Sequence, residues 1–264
     1  MVVTLVNQNP VINNEYSSLP MCLNFVPSKN IKWLKTNFGV NLPKKINEEV
    51  FPDYDCPIIR AAYEHDTYKC EIAHFGLIPF WSKTSKATTS KTNSANHKKN
   101  SIKSFNQTYN AKIETIKQRP SFRSAWSHHH FALVIVDSFY QYCYQAGFPE
   151  KWIVEMNNQE PFALACLWDR WSDTELGKDI ISFTIITQDA TSHPLFNKFQ
   201  KPDEPKRAPI IVPNSSMHEW LTASLDAASK ITSLPLPSNL IGHSLADPAH
   251  KKKTKVNIAA ELRQ

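Results

Sequence analysis

With 264 residues, 41% of them hydrophobic, the chain can bury a sizeable core, and one domain is expected. A net charge of +6 and a pI of about 9.0 favour a polyanionic partner, although such an excess is too modest to demand one. Five cysteines, Cys22, Cys56, Cys70, Cys143 and Cys166, are an odd number with neither a Cys-x-x-Cys spacing nor a Cys/His cluster. They read as reduced thiols of a cytoplasmic protein, which argues against a disulfide framework and a structural zinc. No run of about 18 apolar residues could cross a membrane, and the first twenty residues lack the basic start of a secretory signal.

In chain order, residues 1–20 are expected to be a leader or a misplaced start, because the first distinctive chemistry lies at Met21-Cys22. With Met21 removed, Cys22 would carry a free α-amine beside its thiol. The amine, with an ordinary pKa of about 7.7–8.0, can form a Schiff base with an aldehyde, and the thiol can then close a thiazolidine ring. A retained leader would exclude that chemistry, and Cys22 would then be one more buried thiol.

Beyond Cys22, the apolar spacing of Ile31, Trp33, Leu34 and Phe38 predicts a short helix closing at Gly39. Ile58–Tyr63 and Tyr68–Phe75 predict a hairpin, followed by an apolar segment through Trp81. Residues 82–107 carry six lysines and almost no large apolar group, so a mobile basic loop is expected there. Asn110 is placed at a strand end or turn, Glu114 and Thr115 lead into a short helix, and Pro120 opens a further turn. His128, His129 and His130 precede the strand Phe131–Val136. Neighbours in a strand point to opposite faces, so the three rings should not share a metal.

That strand continues through Asp137–Tyr142, and Gly147–Pro149 predict a hairpin into Trp152–Met156. Phe162–Trp168 and Ile180–Thr187 are further strands joined by a charged turn. A basic, proline-rich loop then leads to an apolar strand at Ile210–Val212 and a helix over Met217–Leu225. The sum is an α+β chain of six or seven strands and two or three helices, with a curved, mostly antiparallel, barrel-like sheet. The domain is expected over residues 21–235, with a polar, disordered tail at 236–264.

Met21-Cys22, Phe75-Gly-Leu-Ile-Pro79, Tyr109-Asn-Ala-Lys-Ile-Glu-Thr115, Arg119-Pro-Ser-Phe-Arg-Ser-Ala-Trp126, Asp137-Ser-Phe-Tyr140, Ser182-Phe-Thr-Ile-Ile-Thr187, His193-Pro-Leu195 and Lys206-Arg-Ala-Pro209 stand in one order. Together they resemble the SOS response-associated peptidase family, the abasic-site processing proteins. The resemblance implies a monomeric α+β domain with a positively charged groove for single-stranded DNA. It needs no cofactor and no metal, and works in the cytoplasm at the nucleoid. Its thiol peptidase would expose a cysteine that captures the ring-opened sugar of abasic-site DNA as a DNA-protein crosslink, with associated lyase chemistry.

Carried over residue by residue, Cys22 falls on the nucleophile and Asn110 on the asparagine that holds the sugar and the amine. Lys112, Arg123, Lys206 and Arg207 occupy basic positions suited to phosphates, and Phe80 and Trp81 could stack bases or simply fill the core. Two catalytic positions depart from the pattern. Gln141 stands where the family has a glutamate, and Gln200 where the best register places its histidine. An amide keeps hydrogen bonds but transfers no proton near pH 7. Asn24 replaces an arginine expected near the DNA. The resulting expectation is slow or poorly reversible crosslinking. The alternatives are a pseudoenzyme that binds single-stranded DNA non-covalently and, more remotely, a cysteine hydrolase using His193 or one of the histidines at 128–130.

Overall fold

Alternation of side chains along the strands decides the architecture. A computed structural model of the chain describes residues 24–62, 67–82, 108–173 and 177–246. Its elements are β1 (Phe25–Pro27), α1 (Ile31–Phe38), β2 (Asp55–Ala61), β3 (Tyr68–Phe75), β4 (Asn110–Lys112), α2 (Pro120–Ser127), β5 (Phe131–Cys143), β6 (Glu150–Met156), β7 (Phe162–Asp173), β8 (Lys178–Asp189), β9 (Arg207–Pro209), β10 (Ile211–Val212), α3 (Met217–Leu221), α4 (Leu225–Thr232) and β11 (Leu240–Ser244).

β5 pairs with β2 and β7, β7 with β8, β8 with β3, and β3 with β2, so these strands close a ring. The pairings are antiparallel except where β8 meets β3 and β4. Closure removes the unpaired edges that an open sheet would present. Ala132, Val134 and Val136 of β5 and Leu164, Cys166 and Trp168 of β7 line the interior beside Phe75 and Phe183. The intervening Phe131, Leu133 and Ile135, with Ala163, Ala165 and Leu167, pack outward against α1, α2, α3 and α4. Two cores thus come from one period-2 pattern. Trp220 of α3 is fully buried on the outer side, stacked obliquely on Phe131, and its Nε1 donates to the Ala132 carbonyl at 2.9 Å.

The helices end by local chemistry. Asn30 caps α1 by accepting from the Trp33 N–H at 3.0 Å, and Gly39 closes it in the left-handed region at φ 67°. At 120 the structure departs from the expected turn. Pro120 is the first residue of α2, a position where its fixed φ fits and its missing N–H is no loss. The three histidines are not in a strand. His128 caps α2, His129 adopts φ 60°, and His130 stacks on Trp168 at 4.6 Å.

The expected tail also needs correction, because Leu240–Ser244 form β11 on β6. The expected helix over Met217–Leu225 breaks at Thr222, and α4 follows it. The expected charged turn at Asp169–Asp179 is largely the continuation of β7 and β8. Residues 1–23, 83–107 and 247–264, which include the leader and most of the basic loop, lie outside the described residues.

Arg60 and Glu71 plug one end of the barrel as a nearly buried ion pair, with the guanidinium 4.5 Å over the Trp168 ring. Burial pushes the Glu71 carboxyl up, but hydrogen bonds and charges from Arg60 and Lys69 outweigh it and hold its pKa below 4.5. The contribution of this pair is therefore complete above the ordinary glutamate value and is lost as pH falls through the lowered one. In urea denaturation near neutral pH, Glu71→Leu should destabilise the chain by about 3–5 kcal/mol, because a nearly buried ion pair loses one of its two charges.

Candidate functional site

The other end of the barrel is built by the far third of β5. β1 lies along it, with Phe25 opposite Phe139, and the Asn24 carbonyl accepts from the Tyr140 N–H at 3.0 Å. Asn24 is only 3% exposed, and its side-chain amide donates to Glu49. Lys151 reaches the same Glu49 oxygen at 3.0 Å and sits 3.9 Å over the Tyr140 ring. Burial, reinforced by the Glu49 charge, pushes the Tyr140 phenol up to about 12, so it stays protonated. Asn24 therefore orders the chain just after Cys22 through Glu49 and turns no free amide toward a phosphate.

Gln141 is the next residue on β5. Phe139 and Cys143, two positions to either side, belong to the interior core, so Gln141 faces inward, and it is 3% exposed. Gln200 meets it: Gln200 Nε2 donates to Gln141 Oε1 at 3.0 Å. Gln200 holds φ 56°, a left-handed conformation unusual for a side-chain-bearing residue. Several bonds keep it there. Its N–H donates to the Tyr142 carbonyl at 3.0 Å, and its Oε1 accepts from the Arg207 N–H at 3.1 Å. Lys206 Nζ donates to the carbonyls of Gln200 and Lys201 at 3.1 and 2.6 Å.

Arg207 has a different part from the one its position in a basic pair implied. It is 5% exposed, and its guanidinium makes a bidentate pair with Glu114 at 2.7 and 2.8 Å while donating to the Thr187 carbonyl at 2.8 Å. Glu114 also accepts from the Asp189 N–H at 3.2 Å. This clasp joins the turn after β4, the end of β8 and β9. Burial pushes the Glu114 carboxyl up, but the Arg207 hydrogen bonds and charge prevail and hold its pKa below 4.5.

Of the other expected residues, Lys112 ends β4 opposite Thr187, beside the clasp, with its side chain exposed. Asn110 begins β4, half-buried, opposite Ile185. Gly76 makes that approach possible: it has φ 127°, and a Cβ there would come within 3.2 Å of the Tyr109 ring. Arg123 is exposed on α2.

Phe80 and Trp81 are 60% and 52% exposed, so they do not fill the core. They precede Ser82, whose carbonyl accepts from Trp171 Nε1 at 2.9 Å, which puts them toward the β7–β8 hairpin. Trp171 pairs with Ile180, about 23 Å along β8 from Thr187, so these aromatics stand apart from the amide pair. His128–His130 precede β5, about 35 Å of strand length from Gln141. His193 is pushed below 6.5 by burial, and its Nδ1 accepts from the Leu195 N–H. Cys22 lies outside the described residues. Glu49 and Lys151 had no motif to mark them. Glu114 stood in one, but nothing in the sequence paired it with Arg207, 93 residues away.

The family model described as "SOS response associated peptidase (SRAP)" matches residues 21–244. The chain belongs to that family. SRAP membership ties it to the response to DNA damage and makes DNA its general class of partner. No curated protein matches the chain significantly. Among solved structures, a protein from Bordetella bronchiseptica is similar at 23% identity and TM-score 0.73, over 86% of this chain and all of that one. A Bacteroides thetaiotaomicron protein matches at 19% identity and TM-score 0.67, over 87% and 94% of the two chains. A phage-related protein of Bordetella bronchiseptica matches at 15% and 0.57, over 86% and 95%. At these identities the likeness is one of fold. No helix among the described residues is long and apolar enough to cross a membrane.

Because the Glu114 pKa is lowered in the fold, the clasp is complete above the ordinary glutamate value and is lost as pH falls through the folded one. Wild-type stability, followed by thermal melting, should therefore fall more steeply below pH 4.5 than that of Glu114→Gln, whose amide does not titrate in this range.

Proposed function

We propose that this SRAP protein binds single-stranded DNA at abasic sites and, with Cys22 as its first residue, captures the open-chain sugar aldehyde as a thiazolidine. The observation that supports this most is the Gln141–Gln200 amide pair beside Asn24, at the inner end of the barrel. Covalent geometry keeps Cys22 within about 7 Å of Asn24. Lys112 and Arg123 are exposed, with no ion pair among the described residues, and are suited to phosphates. Phe80 and Trp81, exposed farther along the barrel, can stack flanking bases, each stack contributing about 1–3 kcal/mol. Asn110 would hold the sugar.

The reaction needs only groups that the chain supplies, together with water. The neutral amine attacks the aldehyde carbon, and the resulting hydroxyl leaves as water to give an imine. The thiol then adds across the C=N bond, its sulfur bonding to carbon and its proton ending on nitrogen. Neither Gln141 nor Gln200 can give or take a proton in these steps. Water must do so, and the missing acid or base slows formation and reversal by a factor of about 10²–10⁴. Rate should thus rise with pH as the amine becomes neutral, near pH 8, without an acidic optimum.

Protein beginning at Cys22, incubated with an abasic-site oligonucleotide, should give a slow, heat-stable adduct on a denaturing gel. The adduct should vanish in Cys22→Ala and in protein that keeps residues ahead of Cys22. No adduct from the wild type would overturn the covalent reading, and salt-sensitive binding in that case would leave a non-covalent DNA binder.

A further inference from the structure

A cleft of about 290 Å³ stands apart from the amide pair, between the β6–β7 connection, the end of β10 and the segment before β11. Met156 at its edge lies four residues along β6 from Trp152, the partner of Gln141, which is about 13 Å of strand. The DNA chemistry above makes no use of it.

The cleft is shaped before any ligand arrives. The Asn157 N–H donates to the Asn239 carbonyl at 2.9 Å and so ties two of the lining segments together. The Gln159 N–H donates to the Met156 carbonyl at 2.9 Å, with Gln159 in the left-handed region at φ 58°. Phe162, Ile211 and Val212 form a buried floor. Pro161, Pro213, Pro235 and Pro237 surround it, and their rings cover an apolar guest without losing rotamer freedom. Three exposed side-chain amides, those of Asn158, Asn214 and Asn239, complete the lining beside Glu160. An amide offers a donor and an acceptor together, as an extended main chain does.

Charge narrows the occupant. The chain has 30 lysines and arginines, yet none falls in residues 152–162, 208–217 or 231–242, the stretches that contribute the cleft. Their acidic residues are Glu155 and Glu160, and Glu160 is exposed with no ion pair among the described residues. A phosphate would meet a carboxylate and no cation here, so the cleft is not an extension of a nucleic-acid path. Charges beyond about 10 Å are screened at ordinary salt, so Glu160 outweighs the net charge of +6 locally. Ligand sites usually span about 300–1,000 Å³, and a cleft at the foot of that range suits one large apolar side chain better than a nucleotide-sized cofactor.

We propose that this cleft docks an extended segment of a partner protein, with one large apolar side chain seated among the prolines and an adjacent lysine or arginine facing Glu160. The asparagine amides pair with the main chain of that segment. This is a protein-docking function beyond DNA capture, and it does not depend on Cys22.

The test presents the full chain, immobilised, with a phage-displayed library of random seven-residue peptides. Enriched peptides should share a leucine, methionine or aromatic residue beside a lysine or arginine. Synthetic copies, followed by fluorescence anisotropy, should bind about 10- to 100-fold more tightly than copies in which serine replaces the apolar residue. Glu160→Gln should weaken binding about 2- to 5-fold and Glu160→Lys further, and a peptide whose basic residue is exchanged for glutamate should regain affinity for Glu160→Lys. Both variants change an exposed side chain, so thermal melting should match wild type. A single-stranded oligonucleotide should not displace the peptide.

Four results would each overturn the proposal: no enriched sequence, a consensus that is acidic or lacks a basic residue, binding that Glu160→Lys leaves intact, and displacement of the peptide by single-stranded DNA. So would a concentration-dependent dimer that Glu160→Lys dissolves, which would assign the cleft to a second copy of this chain.

Discussion

One strand carries the structure. β5 is bonded to β1, β2, β6 and β7, so its thirteen residues fix where each of those strands lies and which way its side chains point. A slip of one residue would exchange Val134 and Val136 with Leu133 and Ile135 and expose neither core to its proper partner. The first half of β5 closes the barrel with β7. The second half runs past the ring, gives Asn24 a bonded neighbour and delivers Gln141 to the interior end. Fold and site thus share one register.

Position in the site is then passed along by hydrogen bonds rather than by packing. Glu114 holds the Arg207 guanidinium, the Arg207 main chain holds Gln200, and Gln200 holds Gln141. Each link uses a group whose alternative orientation would oppose like with like. The first link is a bidentate ion pair in which the two charges balance. Lys206 contributes by bonding the carbonyls of Gln200 and Lys201, which helps keep the residue in its left-handed conformation.

What the sequence disclosed follows the strength of each local signal. β3 is legible to its actual ends, and β5, β6 and β8 nearly so, because they are apolar runs between turn residues, whereas β2 begins and ends earlier than its apolar run and β7 continues past Trp168 to Asp173 through charged residues. β4, β9 and β10, with two or three residues each, are too short to show a period and exist only by pairing with β8 and β7. β11 was hidden for another reason: Ile241–Ser244 are only half-buried, and its bonds to β6 are main-chain ones that composition does not record. Pro120 suggested a turn because proline begins both turns and helices. The Gln141–Gln200 juxtaposition was inferred only through family register. The burial of Arg207 had no signal, since Lys206 and Arg207 look alike until Arg207 is found buried against Glu114.

A pair of amides differs from a titrating pair in more than proton transfer. A carboxylate facing an imidazole alters its charge and its hydrogen-bond polarity as pH moves through either pKa, so its geometry depends on protonation. Two amides locked to a main-chain N–H have one arrangement at every pH at which the fold persists. Two of its buried donors, Gln141 Nε2 and Arg207 Nε, have no hydrogen-bond partner among the described residues. Hydrogen bonds strengthen where water does not compete, which is also why an idle donor there is costly.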